Sequence, residues 1–325
     1  MKNIQVLLPA LALAFLLASC AKEQLSTPEA ALAAETGDLQ IDPAEGLLDE
    51  EALYKVLAGE EELSSRTSPQ SAVYTLGNEV AGNEVIAFYR NDDGSLYEAG
   101  RYGTGGTGSG GGLGNQAALA MSSGGKFLYA GNPGSNEISH FLIRNDGSLE
   151  LKNRIASGGV LPVSIAVHNG LVYVLNAGGT GNITGFAFNQ QGQIFQLSNS
   201  TRALSSPSAG AAQIAFSPDG KVLVVTEKAT NTISSYPVLS SGRTGAIRTF
   251  PSANATPFGF AFGRNGNFHV SEAAGGAAGA STISTYHVNI IGQVSLVDGP
   301  FALNQSAACW VALAKNNSLL FSTNT

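Results

Sequence analysis

Apolar and polar positions along this chain form short runs that fit β-strands better than helices. The clearest example is residues 210–236, GAAQIAFSPDGKVLVVTEKATNTISSY. Three β-prone runs, QIAF, VLVVT and TISSY, are separated by the turn residues SPDG and by the polar stretch EKATN. No apolar spacing of 3.6 residues fits this segment, so the pattern predicts three consecutive strands.

The same pattern returns about every 50 residues, and two independent positions, the second with an aromatic residue at a fixed distance, recur in five copies. The first strand carries an alanine, the third strand carries an Ile or Val, and an aromatic residue follows the latter by three positions. The alanines are Ala120, Ala166, Ala215, Ala261 and Ala312; the aliphatic residues are Val85, Ile138, Ile183, Ile233 and Ile283; the aromatics are Phe88, Phe141, Phe186, Tyr236 and Tyr286.

A unit of about 40–50 residues with four strands is typical of a β-propeller. We label the strands of each blade A to D, with A innermost, where a recurrent alanine suits the crowding near the axis. Runs such as GSLELKN (147–153) and GAIRTF (245–250) supply strand D. The alternative, a β-sandwich with accidental regularity, does not explain two positions that recur together five times.

We therefore predict an all-β propeller domain over residues 69–325, and the composition supports it. The chain is 43% apolar and 13% charged, with 40 Gly and 12 Pro, as expected for a strand-rich protein with many turns. The pattern gives a three-strand opening unit, four full units and a final A–B pair. Because both ends supply a strand B, we expect a shortened form of a longer protein, with an incomplete ring.

Residues 1–20 are typical of an export signal, with Lys2 followed by an apolar run too short to span a bilayer. The end of that run, Leu17-Ala18-Ser19-Cys20, resembles a bacterial lipobox. The resemblance implies cleavage before Cys20 and acylation of that residue, and more than one acyl chain gives stable anchoring. We expect a monomeric protein anchored at the cell envelope, in the outer membrane or periplasm; the alternative is an ordinary secretory signal.

The second cysteine, Cys309, precedes Trp310 in a predicted inner strand. With Cys20 lipidated, Cys309 has no partner for an intrachain disulfide. No histidine lies near it in sequence, so we interpret it as a buried small apolar residue and not as a catalytic thiol.

The acidic residues are concentrated between the signal and the propeller. Residues 21–68 contain 12 of the 24 acidic residues but only Lys22, Lys55 and Arg66 as basic ones. We interpret this segment as a flexible acidic tether, part of which, residues 43–63, forms a transient helix. Residues 69–325 hold 13 basic and 12 acidic residues without a basic stripe, which argues against nucleic acid as a partner.

A run of glycines, TGGTGSGGGLG, occupies residues 104–114. It lacks the Lys-Ser/Thr ending of a phosphate-binding P-loop, and a strand follows it where a P-loop requires a helix. We interpret the run as a long flexible connection from a strand D to the next strand A. Such connections lie at the face that usually carries propeller sites, so this one is a candidate lid.

Two stretches, PSAGAAQIAFSPDGKVLVVTEKATNTISSY and LPVSIAVHNGLVYVLNAGGTGNITGF, resemble the lactonase-type seven-bladed β-propeller family. That family includes 6-phosphogluconolactonases and 3-carboxymuconate cyclases, and the resemblance covers about residues 70–325. It implies a site at the channel mouth. In enzymatic relatives this site uses an acidic residue from the end of a strand B, with Arg and His from a Pro-Arg-His start of a strand A.

This sequence matches only part of that motif. Glu227 matches the acidic residue, and Glu272 takes the same position in the next repeat. The Pro-Arg-His position reads Ala211-Ala212-Gln213, and the preceding repeat reads Pro162-Val163, so the expected cation and imidazoles are missing. The predicted catalytic residues are Glu227 and Glu272, and the predicted binding residues are Asn132, Asn176, Gln213 and Asn324.

Two functions remain open. One is an envelope-anchored enzyme that acts on a neutral or weakly charged lactone, or a sugar acid, with Glu227 as base. The other is a non-catalytic propeller that binds a protein, peptide or glycan on one face. The sequence contains four histidines, His140, His168, His269 and His287. No two of them have the spacing of metal ligands, and we expect no metal and no cofactor.

Overall fold

The computed structural model describes residues 47–64 and 71–324 of the chain. These residues form one α-helix, one short 3-10 helix (Ala274–Gly276) and six antiparallel sheets, which we call blades 1 to 6. The elements are α1 (Glu50–Ser64); β1 (Ala72–Leu76), β2 (Glu84–Arg90) and β3 (Leu96–Gly103) in blade 1; β4 (Leu119–Met121), β5 (Phe127–Asn132), β6 (Glu137–Ile143) and β7 (Leu149–Ala156) in blade 2; β8 (Val160–His168), β9 (Leu171–Gly178), β10 (Asn182–Phe188), β11 (Ile194–Gln196) and β12 (Arg202–Ala203) in blade 3; β13 (Ala211–Phe216), β14 (Val222–Glu227), β15 (Thr232–Pro237) and β16 (Arg248–Pro251) in blade 4; β17 (Pro257–Phe262), β18 (Asn267–Glu272), β19 (Thr282–Val288) and β20 (Val294–Ala302) in blade 5; and β21 (Trp310–Leu313) and β22 (Leu320–Thr323) in blade 6.

Consecutive strands pair within each blade, which confirms the propeller pattern predicted from the repeats. All five repeated alanines lie on A strands, from β4 to β21. All five repeated Ile or Val residues lie on C strands, from β2 to β19; the described part of blade 1 begins with strand B, so β2 is its strand C. In blade 3, β11 and β12 share the role of strand D, since both pair with β10. The strand count matches the predicted opening unit, four full units and final A–B pair.

The cores lie between successive blades, where the apolar faces of neighbouring sheets meet. Tyr129 of blade 2 packs with Phe188 of blade 3, and Tyr173 of blade 3 packs with Phe216 of blade 4. These aromatic side chains are large enough to fill the wedge between adjacent sheets. The repeated aromatic residue of strand C takes part in this packing. Tyr286, for example, is fully buried in the cluster that includes Phe260 and Val224.

The strand order gives the molecule two faces. Because consecutive strands are antiparallel, all A–B and C–D turns lie at one face, which we call the bottom face. All B–C turns and D–A connections lie at the opposite face, the top face. The ends of the B strands, where the predicted site residues occur, therefore belong to the top face.

The tether prediction is wrong for residues 47–58, because this segment is packed against the bottom face. Leu53 is fully buried, and Leu48 and Ala58 are also buried, in the same cluster as Phe127 and Phe188. Apolar burial therefore holds α1 in place despite the acidic composition of the segment. No helix within residues 47–64 and 71–324 has the length and apolar composition needed to cross a membrane.

The glycine-rich connection joins β3 to β4, as predicted, but its first half is packed and does not form a free lid. Gly108 approaches the backbone of Asn78 so closely that a Cβ there would lie 2.1 Å from the Asn78 carbonyl carbon, and a Cβ on Gly106 would lie 2.5 Å from Cγ of Asn132. Glycine is therefore required at both positions for close approach, not for mobility.

Candidate functional site

Four polar residues occupy the same position, the top end of strand B, in successive blades. They are Asn132, Asn176, Glu227 and Glu272, and none has any exposed surface. Asn324 follows β22 at the corresponding position of blade 6 and is exposed. The predicted set of amide and carboxylate groups thus exists, but its four inner members are enclosed.

Glu227 is surrounded by hydroxyl donors. Ser234 Oγ donates to Oε1 at 2.6 Å, Thr230 Oγ1 donates to Oε2 at 3.1 Å, and Ser205 donates both its Oγ and, at 3.2 Å, its backbone N–H. Buried carboxylates need such donors, since an unpaired charge in the interior is costly. No lysine, arginine or histidine within the described part of the chain forms an ion pair with Glu227.

Glu272 has an equivalent arrangement. Its Oε1 accepts hydrogen bonds from Ser252 Oγ at 2.9 Å and from the Tyr286 hydroxyl at 2.7 Å. Its Oε2 accepts hydrogen bonds from Thr282 Oγ1 at 2.6 Å and Ser284 Oγ at 2.8 Å. Each carboxylate is thus enclosed by donors of its own, and no donor is shared between Glu272 and Glu227.

The side-chain amides of Asn132 and Asn176 form hydrogen bonds at the same position in blades 2 and 3. Asn132 Oδ1 accepts a hydrogen bond from Thr104 Oγ1 at 2.7 Å, and its Nδ2 donates to Ser139 Oγ at 2.8 Å. Asn176 Nδ2 donates to the Ser157 carbonyl at 3.1 Å and to Asn182 Oδ1 at 2.9 Å.

One rule describes all four positions. The side chain at the end of strand B bonds to its own strand C and to a residue in the D–A connection that arrives from the preceding blade. Those connection residues are Thr104, Ser157, Ser205 and Ser252. We call each arrangement an inter-blade clamp, because it ties the connection from one blade to the sheet of the next.

Gln213 joins neighbouring inner strands. Its Nε2 donates to the Phe260 carbonyl at 2.9 Å, and its Oε1 accepts a hydrogen bond from the Phe260 backbone N–H at 2.7 Å. This pair of bonds joins β13 to β17 and leaves Gln213 only 5% exposed. Gln213, which was predicted to bind a ligand, therefore links two A strands by hydrogen bonds.

The end of the glycine-rich connection lies over the inner strands of several blades. The Gln116 backbone N–H donates to the Ala212 carbonyl of blade 4 at 3.1 Å, while its side-chain amide bonds both backbone groups of Val311 in blade 6 at 3.2 Å. The Asn115 carbonyl accepts a hydrogen bond from Trp310 Nε1 at 2.9 Å. Residues 115–116 therefore occupy the mouth of the axis at the top face.

The comparisons with known proteins agree with this architecture. The model of the lactonase seven-bladed β-propeller family matches residues 67–208 and 179–290. The chain belongs to this family. A search of curated proteins found no match.

Solved structures of similar fold include two proteins that are named as gluconolactonases. A candidate 6-phosphogluconolactonase of Bacteroides uniformis aligns with a TM-score of 0.61 at 13% identity, over 78% of this chain and 76% of that chain. The periplasmic gluconolactonase of Pseudomonas aeruginosa aligns with a TM-score of 0.52 at 17% identity, over 72% and 67% of the two chains. At these identities the likeness shows the fold.

Lys228 is a further residue beside the mouth of the axis, and the sequence patterns did not point to it. It directly follows Glu227, and its Nζ donates to the Gly114 carbonyl of the glycine-rich connection and lies 4.8 Å from the centre of the Phe258 ring. Burial lowers the pKa of this lysine, and the neighbouring Cys309 opposes that shift. The Cys309 thiol itself donates to the Ala307 carbonyl at 3.1 Å, and burial raises its pKa.

The turns and connections of the top face are almost free of charge. Among the described B–C turns and D–A connections, Glu79 and Lys228 are the only charged residues. The other positions are largely Gly, Ser, Asn, Thr and Ala. Trp310 adds an aromatic ring that is 47% exposed beside the mouth. No group of three or more His, Cys, Asp or Glu residues in the described ranges is arranged to hold a metal ion.

Proposed function

We propose that this member of the lactonase family is a non-catalytic binding protein of the cell envelope, anchored through Cys20, that takes an uncharged glycan on its top face. The observation that carries the proposal is the enclosure of Glu227 and Glu272 by hydroxyl donors. A carboxylate that already accepts four hydrogen bonds and has no exposed surface cannot reach a substrate proton without breaking the clamp.

Lactone chemistry also needs a group that binds the carboxylate or phosphate of the substrate. Bidentate arginine is well suited to this task. The position that carries the arginine in enzymatic relatives holds Ala212, and the position of the histidine holds Gln213, whose amide is already bonded to Phe260. The described top-face connections contain no arginine.

The chemistry of the rim supports a neutral, hydroxyl-rich ligand. Serine, asparagine and backbone amide groups exchange hydrogen bonds with sugar hydroxyls without requiring charge on the ligand. Trp310 offers an exposed ring for apolar contact and lies next to the mouth, where Asn115 fixes its orientation.

Isothermal titration with a panel of neutral oligosaccharides tests this proposal. We expect saturable binding that Trp310→Ala weakens by about tenfold, which corresponds to about 1.4 kcal/mol. Phe301→Ala is the matched control, since Phe301 is a 53% exposed ring on the outer strand β20. Absence of binding across the panel, or equal losses in both variants, would contradict a glycan site beside Trp310.

Lys228 favours a second candidate function, a lactonase-type hydrolase that uses this lysine. The amine lies at the mouth, and burial lowers its pKa, which would favour a proton-accepting role. A lactone panel separates the two functions. The binding proposal predicts no turnover above background for the wild type, whereas the second candidate predicts turnover that Lys228→Met abolishes.

A further inference from the structure

The bottom face shows how this fold receives a helix. At the junction of blades 2 and 3, α1 lies with Leu53 against Phe127, and its first turn meets the A–B turn of blade 2. Ser122 Oγ, Ser123 Oγ and the Gly124 backbone N–H all donate to the Glu50 carboxylate, at 2.6, 3.1 and 3.0 Å.

The first segment of α1, which ends at the break at Gly59, is held at its carboxyl end as well. Lys152 Nζ donates to the Leu57 carbonyl at 3.0 Å, just before the helical geometry breaks at Gly59. A cation at the last carbonyls of a helix is favourable for both hydrogen bonding and the helix dipole. The junction thus binds the apolar face of α1 and both ends of the first segment of this helix, which precedes the break at Gly59.

The junction of blades 4 and 5 repeats the same backbone, and no helix of residues 47–64 or 71–324 lies on it. Its C–D turn bonds as that of blade 3 does: Asn289 N–H donates to the Gln293 carbonyl at 3.1 Å, and Asn189 N–H donates to the Gln193 carbonyl at 3.0 Å. The A–B turns of blades 3 and 5 also match, since Asn169-Gly170 and Asn265-Gly266 both have positive φ. The equivalent pairs are Ser122 and Ser217, Ser123 and Pro218, Gly124 and Asp219, Phe127 and Val222, Asn169 and Asn265, Gly170 and Gly266, Phe188 and Val288, and Asn189 and Asn289.

A groove of about 510 Å³ lies at this second junction. Val222 and Val288 line it at the positions that Phe127 and Phe188 take beneath α1. On its rim, Ile290 is 61% exposed and Ile291 is 49% exposed, where the equivalent turn of blade 3 carries Gln190 and Gln191. Two adjacent exposed isoleucines beside an apolar groove mark a contact surface.

Charged residues of opposite sign lie in the groove and in a hollow beside it. Asp219 lines it where Gly124 meets the start of α1, and Arg248 lines a smaller hollow of about 170 Å³ that begins on the same C–D turn, with Gly292. An acidic group suits the amino end of a helix, and a cation suits its carboxyl end. The charges therefore favour a helix that runs in the same direction as α1.

We propose that the groove between blades 4 and 5 is a docking site for an amphipathic helix of another protein. The helix presents leucine-like side chains at the spacing of Leu48, Leu53 and Leu57, and its first turn carries a basic residue where α1 carries Glu50. The first-turn glutamates of a second copy's α1 would face Asp219, so a second copy of this chain is the less suitable occupant.

The probe is a stapled helical peptide of residues 47–59 with the substitution Glu50→Lys, labelled with fluorescein. Glu51 is retained, because Lys221 stands where Lys126 pairs with Glu51. Fluorescence anisotropy with the 325-residue chain is expected to show saturable binding. Ile290→Asp and Asp219→Lys should each weaken binding at least tenfold, whereas Leu239→Asp, a 51% exposed residue on the C–D turn of blade 4, should not.

Each other result overturns the proposal. No saturable binding, or equal effects of Ile290→Asp and Leu239→Asp, would remove the groove as a helix site. Equal affinity for the peptide with Glu50 unchanged would assign the groove to a second copy. Binding to anionic vesicles that depends on Ile290, without peptide binding, would assign the surface to a membrane. Because the groove lies opposite the glycan site, either proposal can fail alone.

Discussion

His140 is a buried histidine that forms no hydrogen bond with residues 47–64 or 71–324. Neither ring nitrogen has a partner among the described residues, and the ring lies stacked on Tyr129 at 4.9 Å with Phe127 and Phe188 on other sides. Burial lowers the pKa of His140 to about 3, and the charge of Lys152 lowers it further. The folded protein therefore holds this imidazole neutral down to acidic pH.

This neutrality makes stability depend on pH. In the unfolded chain the imidazole binds a proton below its ordinary pKa of about 6.5, while the folded chain does not until pH about 3. The free energy of unfolding should therefore fall as the pH drops from about 6.5 towards 3, by up to about 1.4 kcal/mol per pH unit from this group.

Urea unfolding of the wild type and His140→Phe between pH 7 and pH 4 checks the expectation. The phenylalanine keeps an apolar ring in the aromatic cage but cannot bind a proton. We expect a smaller loss of stability on acidification in the variant than in the wild type. Equal losses in both proteins would contradict the assignment.

Residue positions at the top face were predictable, but their partners were not. The repeats indicate that Glu227 and Glu272 end their B strands, and the structure places them there. The donors to Glu227 include Ser205, which lies 22 positions earlier in the chain and belongs to the preceding connection. Nothing in a spacing pattern shows whether a carboxylate faces solvent or a ring of hydroxyls.

Among the elements, α1 depends on tertiary packing for its stability. Its sequence is acidic and short, so packing must supply most of its stability. Leu53→Ala should lower the free energy of unfolding by about 2–4 kcal/mol, the usual cost of truncating a fully buried leucine. Urea unfolding measures this loss.

Val56→Ala is the matched control for α1, since Val56 is 44% exposed on the same helix. We expect it to change stability by about 0.5 kcal/mol or less. Losses of similar size in the two variants would show that α1 does not depend on burial of Leu53.

The sequence predicted a helical tendency in residues 43–63 but missed its docking. The high density of acidic residues suggested solvation, which hid the apolar face formed by Leu48, Leu53 and Ala58. Docking also depends on glycines elsewhere: a Cβ on Gly170 would lie 2.1 Å from the Leu48 carbonyl oxygen. Such complementarity between distant segments leaves no periodic signal in the chain.

For the whole molecule, the proposed anchor at Cys20 makes a prediction that is independent of the propeller. This residue lies outside the described ranges. Expressed in a bacterium that processes lipoproteins, the wild type should incorporate radiolabelled palmitate and fractionate with membranes, and Cys20→Ser should do neither. Labelling that persists in Cys20→Ser, or a wild type without label, would contradict the anchor.

We infer that the polar residues at the B-strand ends hold neighbouring blades together and do not act on a substrate. A double-mutant cycle in urea unfolding, with Glu227→Gln, Ser205→Ala and both together, tests it most directly. The clamp predicts that the two changes are coupled by about 1 kcal/mol or more. Additive effects on stability, with loss of lactone turnover in Glu227→Gln alone, would contradict it.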